Sequence, residues 1–349
     1  MSHQSEIAVA QTPGLVRRAL PYIQFAVQLS LAGALLALLL WRVDLASVRD
    51  DLKGATLWWL PLAFAANLVS DFFRAVRWRE FFRPMQSVNV FFLWAVAVLG
   101  VACNLALPMR AGEFVRFQVL RKRTGLKAQQ VLATILSEKL MDTVAFSAFL
   151  IGGMMFFEEA RFLWPLAVVY SVALVAGVFA ARWLSRRSER EDALRPQPDG
   201  RLRQWVWSQL TAIGTGLRSF QSKRSLLVVS LASVAAWLCE AAMYYACGEA
   251  LGLDVNPAVY LLVVVAATVA VSVPLTQAGL GVFEVAITGL LVAFGVDEAQ
   301  AAAFAIFSHV MLALPYFMTG PLTAFGLRIA PSDLLFFKSR PAQAAEGLA

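Results

Sequence analysis

Apolar residues run along this chain in blocks of about 20, the length a helix needs to cross a hydrocarbon core roughly 30 Å thick. Blocks 21–41, 56–74, 128–156, 162–184, 225–249 and 299–327 read as six spanning helices. Two further stretches, 88–120 and 258–294, are equally apolar but are interrupted near the middle, by Pro108 in the first and by Pro274, Gly279 and Gly281 in the second. In LALPMRAGEFVR, 105–116, the proline is followed at once by two arginines, a glycine and a glutamate. A helix leaving the bilayer could end this way, and so could one that turns back inside it.

The basic residues decide between these, because Lys and Arg concentrate in cytoplasmic loops. If 88–107 were a full crossing, the bases at 74–83 and those at 110–127 would face opposite compartments. If both interrupted stretches enter and return on the same side, 25 of the 30 bases fall on one face and only Arg42, Arg49, Lys53 and Arg161 on the other, with Lys139 inside a span. The pattern therefore predicts an all-α, polytopic membrane bundle of about six spanning helices and two re-entrant broken-helix hairpins, with both termini cytoplasmic. One transmembrane domain covers 1–349: a first half 21–184, a charged linker and amphipathic helix 185–222, a second half 225–327 and a tail 328–349. The amphipathic helix is read from Leu210, Ile213, Leu217 and Phe220 behind Trp205 and Trp207.

Composition agrees: 59% hydrophobic and 15% charged residues, with a mean hydropathy of +0.66, leave no soluble domain of useful size. The net charge of +7 sits in clusters flanking apolar runs, which speaks for loop placement and against nucleic acid. Cys103, Cys239 and Cys247 lie in apolar segments without metal-ligand spacing. The first apolar run follows Arg17 and Arg18 but leads into WRVD, not a small-residue cleavage site, so it reads as a retained span. Trp41, Trp58, Trp59, Trp164 and Trp183 fall near span ends, as interfacial anchors do.

The interrupted stretches also resemble each other. From Pro108 and from Pro274 the chain runs through a polar residue, Ala-Gly, a glutamate and an apolar stretch to Gly125 and Gly295. Asp71 precedes the first proline by 37 residues and Glu240 the second by 34; Glu138 follows Gly125 by 13 and His309 follows Gly295 by 14. Under the topology above the two halves are inverted. Paired helix breaks in inverted halves point to a midplane site, where free helix ends meet a ligand.

The polar residues of these segments form the candidate site. Arg110, Gly112, Glu113, Arg116, Arg74, Arg77, Gln277, Gly279, Gly281 and Glu284 are candidates for substrate binding, with Pro108 and Pro274 as the breaks. A guanidinium can hold a phosphate through two parallel hydrogen bonds, or Arg110 can simply cap a span and snorkel. Glu138, Lys139 and Asp142 lie deep in an apolar helix, where each charge costs about 2.5–3.5 kcal/mol on insertion scales and calls for partners or water. With Asp71, Glu240 and His309 they form a set of buried charges, serving structural pairing or a proton or headgroup relay. His309 among apolar neighbours fits a hydrogen-bonded structural role, and Gly279 and Gly281 fit close backbone approach.

FFRAVRW (72–78), LPMRAGEFVR (107–116), SEKLMD (137–142) and VPLTQAGLGVFE (273–284) resemble the flippase-like membrane proteins that share the transmembrane region of lysylphosphatidylglycerol synthases. The likeness covers nearly the whole chain. It implies movement of anionic, modified or lipid-linked lipids between leaflets. Lys139 stands where that family usually carries arginine, and Gln277 and Ala278 precede Gly279 where it often reads Gly-Gly-Leu-Gly, which makes Gln277 a candidate specificity element. A soluble synthase domain is missing from the sequence, so aminoacyl transfer is not expected.

The expectation is a lipid translocase of a bacterial inner membrane, acting on membrane lipids with anionic headgroups, without cofactor or metal and not an enzyme. The alternatives are a proton-coupled transporter of a soluble anion and an intramembrane enzyme on polyprenyl phosphates. The enzyme is disfavoured because no aspartate-rich metal motif, nucleotide loop or histidine-bearing phosphatase constellation is present.

Overall fold

The computed structural model describes residues 13–107, 111–194, 223–272 and 275–329. Eleven α-helices and no strand occur among them: α1 Pro13–Arg42, α2 Leu45–Gly54, α3 Leu60–Phe82, α4 Val90–Ala106, α5 Ala111–Thr124, α6 Ala128–Phe156, α7 Trp164–Leu194, α8 Lys223–Ala250, α9 Val259–Ser272, α10 Val282–Ala293 and α11 Glu298–Gly326. Pro108, Arg110, Pro274 and the expected amphipathic helix lie outside the described residues. Residues 185–194, read from sequence as linker, continue α7 as helix.

Length and composition alone mark four or five crossing helices, beside the six read from sequence. By length and composition α6, α7, α8 and α11 can each cross a membrane alone, and α1 with α2, bent by 92°, makes a fifth if the pair is one span. Asp44 caps α2 at this bend, accepting from the Ala46 amide at 3.0 Å and the Ser47 hydroxyl at 2.8 Å. Those two donors hold its carboxyl below the usual carboxylate range. The expected span 56–74 is instead α3, which runs on to Phe82 through Arg74, Arg77, Arg79 and Glu80. An apolarity window stops at those charges, whereas the bundle buries them against other helices.

The longest ladder of polar contacts joins α3 to antiparallel α8. Ser70 donates to the Ala236 carbonyl at 2.9 Å, Arg77 to Ser233 at 3.3 Å, and Ser225 to Glu80 at 2.8 Å. The ends of the helices then sort into two faces. On one face Gln86, just before α4, donates to the Thr124 carbonyl at the end of α5 at 3.3 Å, and Arg123 reaches the Leu327 carbonyl at the end of α11. On the other, the Thr56 amide donates to the Ala250 carbonyl at 2.7 Å and Gln300 to the Leu251 carbonyl at 3.5 Å, while the Phe157 and Phe294 rings meet at 5.5 Å. The α4–α5 pair is thus a hairpin open at the first face. The α9–α10 pair opens at the second.

At about 1.5 Å per residue these limbs are short for a bilayer, at 17, 14, 14 and 12 residues. Glycine closes the first hairpin: a Cβ on Gly112 would stand 2.7 Å from Asn104 Oδ1 and nearer still to the Gly100 carbonyl oxygen. In the second, Gly279 and Gly281 have φ of +83° and +81°, a region that favours glycine. A Cβ on Gly281 would also meet the Ala32 carbonyl of α1 at 2.9 Å. Trp41, Trp58 and Trp164 are exposed at helix ends, and Trp59 packs edge-on against Tyr245.

Candidate functional site

The tips of the two hairpins meet. Gln277, in the 3₁₀ turn Gln277–Gly279, donates to the Leu105 and Leu107 carbonyls at 3.0 Å each. These carbonyls close α4, where no further turn of helix takes them up, so the amide satisfies groups that a helix end leaves free. Sequence suggested Gln277 as a specificity element; the structure places it as the tie between tips, with its flank on a cavity.

That cavity, about 180 Å³, lies between the tips and the middles of α3, α5, α6, α8 and α11. Asp71, Arg74, Glu113, Arg116, Glu138, Lys139, Asp142, Glu240, Gln277 and Gly279 line it, so most of the sequence candidates converge. Arg77, Gly112, Gly281, Glu284 and His309 do not line it. Arg77 is wholly buried behind the wall and Gly112 serves the α4–α5 crossing.

Nearly every charge here has an opposite. Arg116 donates to Glu138 at 2.8 Å and to Glu113 at 3.3 Å, and its guanidinium covers the Trp78 ring at 4.3 Å. Arg74 is bonded to Glu240 and lies over Trp237 at 4.3 Å. Arg77 stands 2.9 Å from Asp142, an ion pair off the hydrogen-bond angle. Glu138 and Asp142, four residues apart, do point the same way. Burying such charges is costly unless each is paired, which accounts for their matching.

Two residues break the pattern. Asp71 is 4% exposed and forms no ion pair among the described residues, and its Oδ2 has no hydrogen-bond partner. Lys139 likewise forms no ion pair among them, and it is exposed, not buried as its position in the sequence suggested. Leu132, Leu136 and Lys139 follow one another at helical spacing as exposed positions of α6, with half-buried Thr143 next in line. Lys139 therefore stands on an apolar outward stripe and on the cavity wall at once.

Behind the second tip lies a separate unit. Glu284 Oε2 accepts from the Gly281 amide at 2.6 Å, capping α10, while Oε1 lies 2.7 Å from His309 Nδ1. His309 Nε2 faces the Ala278 carbonyl at 3.2 Å, and the ring stacks on Phe283. Both imidazole nitrogens thus face an oxygen, one of the Glu284 carboxyl and one of the Ala278 carbonyl. Each hairpin's returning limb is thereby tied to the next long helix by an acid and a base: Arg116 to Glu138, and Glu284 to His309.

Sequence reasoning missed Asn67, Asn104 and Tyr316. Tyr316 donates to Asn67 at 2.8 Å, and Asn67 donates to the Leu312 carbonyl at 3.1 Å. Asn104 accepts from the Gly112 amide at 2.9 Å. Asn67 lies one helical turn before Asp71, and that spacing was the available signal.

These features define a multi-pass helical membrane protein with a charged cavity between two broken-helix hairpins. The chain belongs to the family described as the lysylphosphatidylglycerol synthase TM region, which it matches over residues 25–320. It is 23% identical to a UPF0104 membrane protein of Methanothermobacter thermautotrophicus, over 77% of this chain and 88% of that one. A UPF0104 membrane protein of Pyrococcus horikoshii is 22% identical over 79% and 89%. Glycosyltransferase AglD of Haloferax volcanii is 25% identical over 80% of this chain and 50% of its own length. That relative overturns the expectation that the chain is not an enzyme, since one of the proteins it resembles is named as one. The relatives are archaeal and lend nothing to a bacterial inner membrane in particular.

Proposed function

We propose that the chain receives the headgroup of an anionic membrane lipid in the cavity between the hairpin tips and moves it, or helps move it, between leaflets. Lys139 carries this reading: an ammonium without an ion-pair partner among the described residues, lying both on the outward stripe of α6 and on the cavity wall. A headgroup phosphate could reach it sideways from the bilayer while the acyl chains stay in lipid. A soluble anion has no need of such a lateral approach. Arg110 follows Pro108 by two residues in sequence and joins the proposal as a second phosphate contact. Arg79, Arg83, Arg121, Lys122 and Lys127 gather on the face where α4 and α5 begin and end, which supports a cytoplasmic face there. The acid–base ties of the two hairpins, each to its following helix, support the inverted repeat.

Flipping of fluorescent lipids in proteoliposomes tests this. Lys139→Gln and Arg110→Ala should each flip an anionic lipid more slowly than the unaltered chain, and equal rates reject the roles. Uptake of a water-soluble anion into the same vesicles would favour the soluble-transporter reading instead. A second reading, an enzyme acting on a lipid-linked intermediate, is favoured by the relation to a named glycosyltransferase. A new lipid product after incubation with a polyprenyl phosphate and a sugar nucleotide would support it.

A further inference from the structure

We infer that Asp71 is a proton-binding site of the central cavity. Every other carboxylate on the cavity wall has a committed cation: Glu240 has Arg74, Asp142 has Arg77, and Glu113 and Glu138 share Arg116. Asp71 has none among the described residues, although it lies in the middle of α3 and is buried. An ionisable group inside a membrane bundle without a counter-charge marks an ion or proton pathway by default.

The groups that face it come from every surrounding element. They are Arg74 on its own helix, Arg116 from α5, Glu138 from α6, Glu240 across α8 and the Tyr316 hydroxyl from α11. The two guanidiniums are engaged elsewhere, and the Tyr316 hydroxyl, within hydrogen-bond reach of both Asn67 and Asp71, brings no charge, so none of them neutralises the carboxylate. The adjoining cavity has room for about six waters at roughly 30 Å³ each, given its 180 Å³. A proton taken from that water converts the carboxylate to the acid, and its return to the water completes the cycle; no other bond changes. Among the described residues no three His, Cys, Asp or Glu side chains gather as a metal set, so a proton suits the site better than a divalent cation.

The charge balance gives the proton a consequence. With Asp71 ionised, five carboxylates face Arg74, Arg77, Arg116 and Lys139, an excess of one negative charge among the described residues. Protonation removes that excess and eases entry of an anion, so proton and headgroup would enter together. Only this last step rests on the lipid reading; the proton site itself rests on the pairing and burial of Asp71.

Infrared difference spectroscopy of the full chain in lipid nanodiscs, recorded as pH is lowered in steps, reads the proton directly. The unaltered protein should show a carboxylic-acid C=O band that grows at lower pH. The band should vanish in Asp71→Asn and move in frequency in Asp71→Glu, which also serves if the asparagine variant fails to fold. A band unchanged in either variant, or absent from the unaltered protein, overturns the assignment. Loss of the band on adding sodium ion at constant pH overturns it too, because a metal cation would then hold the carboxylate. Lipid flipping is not needed for any of these outcomes, so this site and the translocase reading fail separately.

Discussion

Replacing Gly112 with alanine should pry the first hairpin open. The added Cβ would lie 2.7 Å from Asn104 Oδ1 and 2.8 Å from the Asn104 amide nitrogen, with the Gly100 carbonyl oxygen closer still. Ordinary carbon–oxygen contacts begin near 3.3–3.6 Å, so α5 must retreat from α4 by at least roughly 0.6–0.9 Å. Two of the three obstacles are backbone, which cannot rotate away as a side chain tip can. Overpacking of this kind costs about 1–3 kcal/mol, and losing the half-buried bond from the Gly112 amide to Asn104 adds about 1 kcal/mol. Taken together, about 3 kcal/mol corresponds to roughly a 100-fold larger open population. Cys103 reports it, being a buried thiol on α4 beside the crossing. With Cys239 and Cys247 replaced, Gly112→Ala should label at Cys103 on the order of 100-fold faster with a small maleimide, provided opening precedes reaction. Gly152→Ala is the control, since nothing lies within 4 Å of a Cβ there. Equal labelling of the two variants would refute the crossing.

Other consequences follow from the ion pairs and the tip contact. Glu138→Ala should destabilise the chain by about 3–5 kcal/mol less whatever Glu113 and Trp78 recover for Arg116, and the Arg116→Ala/Glu138→Ala double variant should lose less than the two single losses added; thermal unfolding of the four proteins in one detergent checks it. Gln277→Ala should cost about 1–3 kcal/mol by leaving the Leu105 and Leu107 carbonyls without their donor. Hydrogen exchange should then rise at the ends of α4 and α9 and stay unchanged at the far end of α8.

What the sequence made legible was whatever depends on local pattern. Helix α6 has the bounds expected of it because its apolar run is flanked by Lys127 and Glu158 and holds no proline, its only charges being Glu138, Lys139 and Asp142 near the middle. The two interrupted stretches each form a pair of short helices, α4–α5 and α9–α10, with positive-φ Gly279 and Gly281 at the second interruption. Pairings across the bundle were not legible. Arg74 meets Glu240 from 166 residues away and Tyr316 meets Asn67 from 249, and no spacing rule connects such positions. For the same reason α3 looked too short: its charged half reads as a loop until α8 and α6 supply Glu240, Ser225 and Asp142. Lys139 was misplaced by its neighbours, because Glu138 and Asp142 face inward while the residue between them points elsewhere on the helix.

The central claim is that both interrupted stretches turn within the membrane and open at opposite faces. With the native cysteines replaced, single cysteines at Ser87 and Lys122 flank the first hairpin, and others at Asp254 and Glu298 flank the second; all four native positions are exposed. Labelling of intact, sealed vesicles with a membrane-impermeant maleimide should place Ser87 and Lys122 in one compartment and Asp254 and Glu298 together in the other. If Ser87 and Lys122 label from opposite compartments, the first stretch crosses the bilayer and the account is contradicted.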